Sequence, residues 1–140
     1  MKNIKILLIA FLLVTITNIV SSKSLDSLDG QEILNSIEKG MLQNSISLFS
    51  GYLTDNCYIS LNNGTMGYYT TSQSYYIFEN YFSQYKITEL KYDDIDKSTQ
   101  SVNASGSIKY QFNGSKNVCK IFVSLKNIAG QWYIFQIIIN

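Results

Sequence analysis

The chain of 140 residues contains no histidine, no proline and no arginine. Without histidine there is no Ser-His-Asp or Cys-His nucleophile system and no imidazole-ligated metal. Without arginine there is no planar fork to clamp a phosphate or carboxylate at two points. Two cysteines alone do not build a structural zinc site. No metal and no cofactor is therefore expected. Positive charge is scarce as well: beyond residue 22, nine lysines face ten acidic residues, a net charge near −1. No basic field exists to hold a nucleic acid. The missing proline and arginine, with abundant Asn, Ile, Lys and Tyr, fit an AT-rich coding background.

Long apolar runs are equally rare, and the one that stands out lies at the start. Lys2 and Lys5 precede an unbroken stretch from Ile6 to Val14, and Val20-Ser21-Ser22 supplies small residues for cleavage. That order is the signature of a secretory signal peptide over residues 1–22. The expected location is therefore outside the cytoplasm, periplasmic or secreted, with membrane contact only through the transient signal. An uncleaved anchor is the alternative. A spanning helix needs about 20 apolar residues, and Thr15, Thr17 and Asn18 interrupt the run. No cysteine stands near the cleavage point to carry a lipid.

After the signal, a flexible lead-in over residues 23–28 precedes one domain over residues 29–140, a length that can support its own core. Asp29 and Glu32 have the spacing of a capping box. Ile33, Leu34, Ile37 and Met41 follow at helical spacing, with Gly40 placed as a C-terminal cap. A second short helix is predicted over Leu42 to Phe49. The period then changes to two: Cys57, Ile59 and Leu61 alternate with polar neighbours, and Asn62-Asn63-Gly64 reads as a hairpin turn. Thr70 or Thr71 begins a third helix running to about Phe82, with Gln73, Tyr76, Ile77, Tyr81 and neighbouring aromatics on its apolar side.

The second half reads as a meander. Lys86 to Tyr92 is a weak strand, and Asp93, Asp94 and Asp96 read as a solvated turn. Val102 to Phe112 alternates strictly, Asn113-Gly114 turns the chain into Val118 to Lys126, and Ala129-Gly130 turns it into Gln131 to Ile139. Helices early and strands late imply an α+β domain, with N-terminal helices packed on a curved, mostly antiparallel sheet.

Three segments carry a family resemblance: Ile33 to Gly40, Tyr69 to Phe82, and the final run Gly130 to Asn140. Together they resemble a family of small exported bacterial domains of unknown function within the nuclear transport factor 2-like (cystatin-like cone) superfold. Ser74 stands where the family usually has alanine, Ile138 where it has a polar residue, and the two cysteines are departures from its pattern. The resemblance implies the cone fold but no established activity. It also implies a first strand paired with the last, and the last with its predecessor. Cys57 and Cys119 would then sit two strands apart, about 9.5 Å, beyond the roughly 7 Å that a disulfide spans. Their even number in an exported protein favours pairing, whereas that spacing favours two separate buried thiols.

Cones of this superfold often enclose a pocket, and relatives include isomerases and dehydratases. The acid-base candidates here are Asp55, Glu79, Tyr58, Tyr76 and Tyr110. A carboxylate raised in pKa beside a tyrosine donor would abstract a proton next to a carbonyl; the plainer reading makes them turn, helix-surface and core residues. Aromatic side chains crowd residues 68–85, and Tyr75, Phe78 and Tyr85 do not all share one core-facing side. They are the candidate ligand-contact patch. The leading expectation is non-catalytic binding of a small molecule or protein partner, with a pocket enzyme as the rival and a homodimer through the open sheet as a third possibility.

Overall fold

The computed structural model describes residues 29–140. The expected signal peptide (1–22) and the expected lead-in (23–28) lie outside the described residues.

Helix α1 spans Gly30–Leu42. Asp29 caps its start, accepting from the Gln31 amide at 3.4 Å, while Glu32 in the first turn and Lys39 in the last suit the helix dipole. Ile33, Leu34, Ile37 and Met41 form its buried stripe. Gly40 is not the cap. It lies inside the helix, where a Cβ would stand 2.5 Å from Cδ1 of Phe49; glycine is there to admit that ring. The helix ends at Leu42 with Gln43 as its C-cap; Asn44 then takes the left-handed backbone (φ 52°), and the Ser45 amide bonds back to the Gly40 carbonyl at 2.8 Å.

That left-handed turn also cancels the second helix expected over Leu42 to Phe49. Two single 3-10 turns, Ile46–Leu48 and Ser50–Tyr52, replace it. They drop Ile46 and Phe49 into the core.

Strand β1 (Leu53–Ser60) buries Cys57 and Ile59 and turns through Asn62-Asn63-Gly64 into β2 (Met66–Tyr69). Helix α2 (Thr71–Gln84) opens with a full capping box between Thr70 and Gln73. Its buried face is Ser74, Phe78, Tyr81 and Phe82; of the expected residues Tyr81 is buried, Ile77 is half-buried, and Gln73 and Tyr76 are exposed. Gln73 is committed to the cap, accepting from the Thr70 amide at 3.0 Å, and the core-facing stripe runs through positions 74, 78, 81 and 82 at helical spacing.

Strand β3 (Lys86–Lys97) runs five residues beyond the expected end. Asp93, Asp94 and Asp96 are strand residues, not a turn, and the register shifts between Tyr92 and Asp94. Charges and a bulge on an edge strand protect it from pairing with other chains. Strands β4 (Ser101–Phe112), β5 (Ser115–Ile128) and β6 (Gln131–Ile139) form the long meander. Both of its expected turns have positive φ at two successive residues, Asn113-Gly114 and Ala129-Gly130, the geometry that matches strand twist.

The six strands lie in the order β2-β1-β6-β5-β4-β3. Every pairing is antiparallel except β1 with β6. The helices pack on one face of this curved sheet, α1 against β3 and α2 against β1. The fold is α+β. Among the described residues no helix is long and apolar enough to cross a membrane.

One core position is polar. Ser74 is fully buried and its hydroxyl has no hydrogen-bond partner. A buried unpaired hydroxyl forfeits its water bonds without compensation. Ser74→Ala is therefore expected to raise stability by about 1 kcal/mol, read from urea denaturation; a loss of stability would show that the hydroxyl is satisfied.

Candidate functional site

The helix-covered face of the sheet is filled by its own side chains. Phe78 is fully buried and meets Phe49 edge to face, centroids 5.6 Å apart at 79°. Tyr85 is 8% exposed. It stacks between Tyr81, at 4.5 Å, and Phe112, at 4.6 Å. Tyr81 donates to Asn62 Oδ1 at 3.0 Å, and burial holds its phenol well above the ordinary range. Phe78 and Tyr85 are thus core residues, and the expected Tyr75, Phe78 and Tyr85 patch does not form on the surface. Tyr75 is half-buried, and exposed Tyr76 rests on it edge to face at 5.8 Å.

The acid-base candidates are scattered. Asp55 is exposed and serves α2: its carboxylate accepts from the Thr71 amide at 3.2 Å and the Thr71 hydroxyl at 2.9 Å. Those bonds, the backbone one first, hold its carboxyl below the usual value. Glu79 is exposed too, on the rim of a hollow of about 300 Å³ that Tyr75 and Ser45 also line. Tyr110 lies beside Tyr85 at 5.5 Å. A buried phenol with no hydrogen-bond partner is found elsewhere, at Tyr92; burial first and the Glu38 charge second raise its pKa. No group of three Cys, Asp or Glu among the described residues is placed to hold a metal ion.

Cys57 and Cys119 are both free. Strand β6 separates β1 from β5, two strand spacings or about 9.5 Å. Cys119 also precedes Ile121, the first β5 residue that β6 pairs with. Burial pushes the Cys57 thiol up to about 12 and the Cys119 thiol up to about 11. Both therefore stay protonated and slow to react near neutral pH. The folded protein is expected to show sluggish labelling by a thiol reagent, and two thiols in denaturant without reductant. Finding none in denaturant would mean a disulfide.

Among the described residues the other face of the sheet carries no helix, and here one candidate, Tyr58, finds company. Alternation on β1 sends Asn56, Tyr58 and Ser60 away from the core that holds Cys57 and Ile59. The register then lays a row straight across the sheet: Tyr68 opposite Tyr58, Tyr58 opposite Gln136, Gln136 opposite Ser124. The β5–β6 register slips between Ser124 and Leu125. Ile134 and Ile137 are both buried, so the slip leaves Phe135 and Gln136 together on the outer face. The result is a depression of about 680 Å³ lined by Asn56, Tyr58, Tyr68, Ser124, Lys126, Phe135, Gln136 and Ile138.

Its walls are aromatic. The Tyr58 and Tyr68 rings lie 5.1 Å apart, tilted at 60°. Across the depression the Lys126 ammonium sits 4.4 Å from the Phe135 ring centre. Tyr68 is 67% exposed, unusual for so large a ring. Of these residues, sequence reasoning singled out only Tyr58 as a site residue. The alternation that marked Cys57, Ile59 and Leu61 as inward also marks Tyr58 as outward. The family resemblance places the last strand beside the first, as found, but nothing in the sequence discloses the β5–β6 slip that turns both Phe135 and Gln136 outward.

Comparison with known proteins now bears on this arrangement. The profile of a family described as Domain of unknown function (DUF4783) matches residues 34–140. The chain belongs to that family. Among solved structures, a DUF4783 family protein from Bacteroides ovatus superposes with a TM-score of 0.64 at 15% identity, covering 81% of this chain and 94% of its own. An NTF-2 like protein of unknown function from Shewanella oneidensis gives a TM-score of 0.60 at 8% identity, covering 78% and 93%. A candidate polyketide cyclase from Pseudomonas putida gives 0.60 at 13% identity, covering 81% and 91%. At these identities the likeness shows the fold, which is nuclear transport factor 2-like. No curated protein matches the chain.

Within the DUF4783 frame two of the departures noted in the sequence, Ser74 and Ile138, fall in informative places. Ser74 is the unpaired buried hydroxyl beneath α2. Ile138 lines the depression on the helix-free face.

Proposed function

We propose that this DUF4783 domain is a non-catalytic binding module that acts after export and takes up its ligand on the helix-free face of the sheet. The supporting observation is the depression built by Tyr58, Tyr68, Phe135 and Lys126 on a face that no helix among the described residues covers. Large exposed rings on a rigid scaffold offer contact area at low entropic cost, and its volume of about 680 Å³ is in the range of small-molecule sites.

The rival is a pocket enzyme, a reading that the description of the Pseudomonas putida relative keeps in view. Acid-base chemistry of that type asks for a carboxylate in an apolar cavity beside a tyrosine donor. Asp55 and Glu79 are both exposed, and Asp55 is occupied at the start of α2, which weighs against the rival.

The test is mass spectrometry of the small molecules and proteins that co-purify with the native protein and with two variants. A species lost on Tyr68→Ala and kept on Tyr76→Ala supports the reading. An identical set in all three contradicts it. Light scattering on the same samples separates a second copy of the chain from other partners. Export rests on residues 1–22, and N-terminal sequencing of the mature protein should begin at Lys23; a retained Met1 would contradict cleavage.

A further inference from the structure

The charge and hydrogen-bonding inventory of the depression narrows what it holds, on the reading that this face is the binding surface. Among the described residues Lys126 is the only charged side chain in the lining. Its ammonium lies over the Phe135 ring and within 4 Å of no carboxylate among the described residues, whose two ion pairs are Lys91–Asp93 and Lys109–Glu89. A positive charge resting on a ring in a site without acids is matched by a ligand carrying one anionic group.

The rest of the lining is polar in a particular way. The side-chain amides of Asn56 and Gln136 and the hydroxyls of Tyr58 and Tyr68 are free of hydrogen bonds to other described residues, whereas Ser124 is engaged with Asn103 at 2.9 Å. Four uncommitted groups around aromatic rings call for a ligand rich in hydroxyls as well as apolar faces. An extended peptide is a poorer match. It would seek a strand edge for backbone pairing, and this site lies on the face of the sheet, where β1, β6 and β5 already pair with one another.

Distance sets the size. Tyr58 and Lys126 stand two strands apart and two residues apart along the strands, by way of the Tyr58–Gln136–Ser124 row. That is roughly 12 Å from strand spacing and rise, so the ligand is longer than a single ring.

We propose that the depression binds an acidic oligosaccharide, with one sugar ring against Tyr58 and Tyr68, hydroxyls on Asn56 and Gln136, and a sugar carboxylate on Lys126. Calorimetric titration of the mature protein with trigalacturonate and triglucuronate, against neutral maltotriose, tests it. At least one acidic trimer should bind, and maltotriose should bind at least ten-fold more weakly. Lys126→Gln should weaken the acidic trimer about ten-fold, the equivalent of a charge-assisted hydrogen bond at a partly exposed site. Raising the salt should weaken wild-type binding and leave the residual binding of Lys126→Gln little changed. Tyr68→Ala should remove binding and Tyr76→Ala should leave it intact. Failure of both acidic trimers, equal binding of maltotriose, or an unaltered Lys126→Gln would overturn the proposal. If the trimers fail while a co-purifying species still depends on Tyr68, only the ligand class falls. If that dependence is missing too, the binding-face reading falls with it.

Discussion

Gly106→Ala is expected to cost at least about 3 kcal/mol, near the upper end for overpacking and a large share of the roughly 5–15 kcal/mol that holds a domain together. Gly106 lies on β4 between Tyr92 of β3 and Ile121 of β5. A Cβ there would run into the Lys91 carbonyl oxygen and stand 2.8 Å from the Tyr92 Cα and 2.9 Å from the Lys91 carbonyl carbon. These are backbone atoms of a paired strand, so no side chain can swing aside. The β3–β4 register shifts beside this contact, between Tyr92 and Asp94, and the shift is what brings the two backbones so close. Urea denaturation reads the effect. A cost below about 1 kcal/mol would mean that β3 moves away freely and that the register shift does not depend on glycine.

Phe78→Ala is expected to cost about 3–5 kcal/mol, the usual range for removing a fully buried ring. Phe78 is 0% exposed, held between Phe49 and Phe82 with centroids at 5.6 and 5.8 Å. Tyr76→Ala, only two residues away but 68% exposed, should stay within about 0.5 kcal/mol of wild type. The contrast checks which side of α2 faces the core. Equal costs, or a larger cost for Tyr76→Ala, would place the stripe where helical spacing alone first put it.

That stripe marks where the sequence stops being readable. Along 71–84 two overlapping stripes keep helical spacing, Gln73-Tyr76-Ile77-Tyr81 and Ser74-Phe78-Tyr81-Phe82, so period alone does not choose between them; the structure buries the second. The meander is the opposite case. Val102 to Phe112 alternates without a break, and Asn-Gly and Ala-Gly pairs mark its corners, so β4, β5 and β6 follow from local chemistry. Asn44 turns left-handed with no proline or glycine to announce it. The acidic run at Asp93 looks like a turn because a bulged, solvent-facing edge strand has the same composition as one.

The depression was the least legible feature. Its members come from β1, β2, β5 and β6, up to 82 residues apart between Asn56 and Ile138. They meet only because β6 returns parallel to β1 and slips one residue against β5. Tyr58 was in view from the start, but as an acid-base group for an interior pocket. Its side chain lines the opposite, outer side of the sheet, where an aromatic wall is of more use than a proton donor.

The most direct measurement is an NMR shift map of the protein as its co-purifying or titrated ligand is added. Shifts concentrated at Asn56, Tyr58, Tyr68, Phe135 and Gln136, with the interior around Phe78 and Tyr81 unmoved, are the expected result. Shifts confined to the hollow at Tyr75 and Glu79, or to the helix-covered core, would contradict a binding site on the open face.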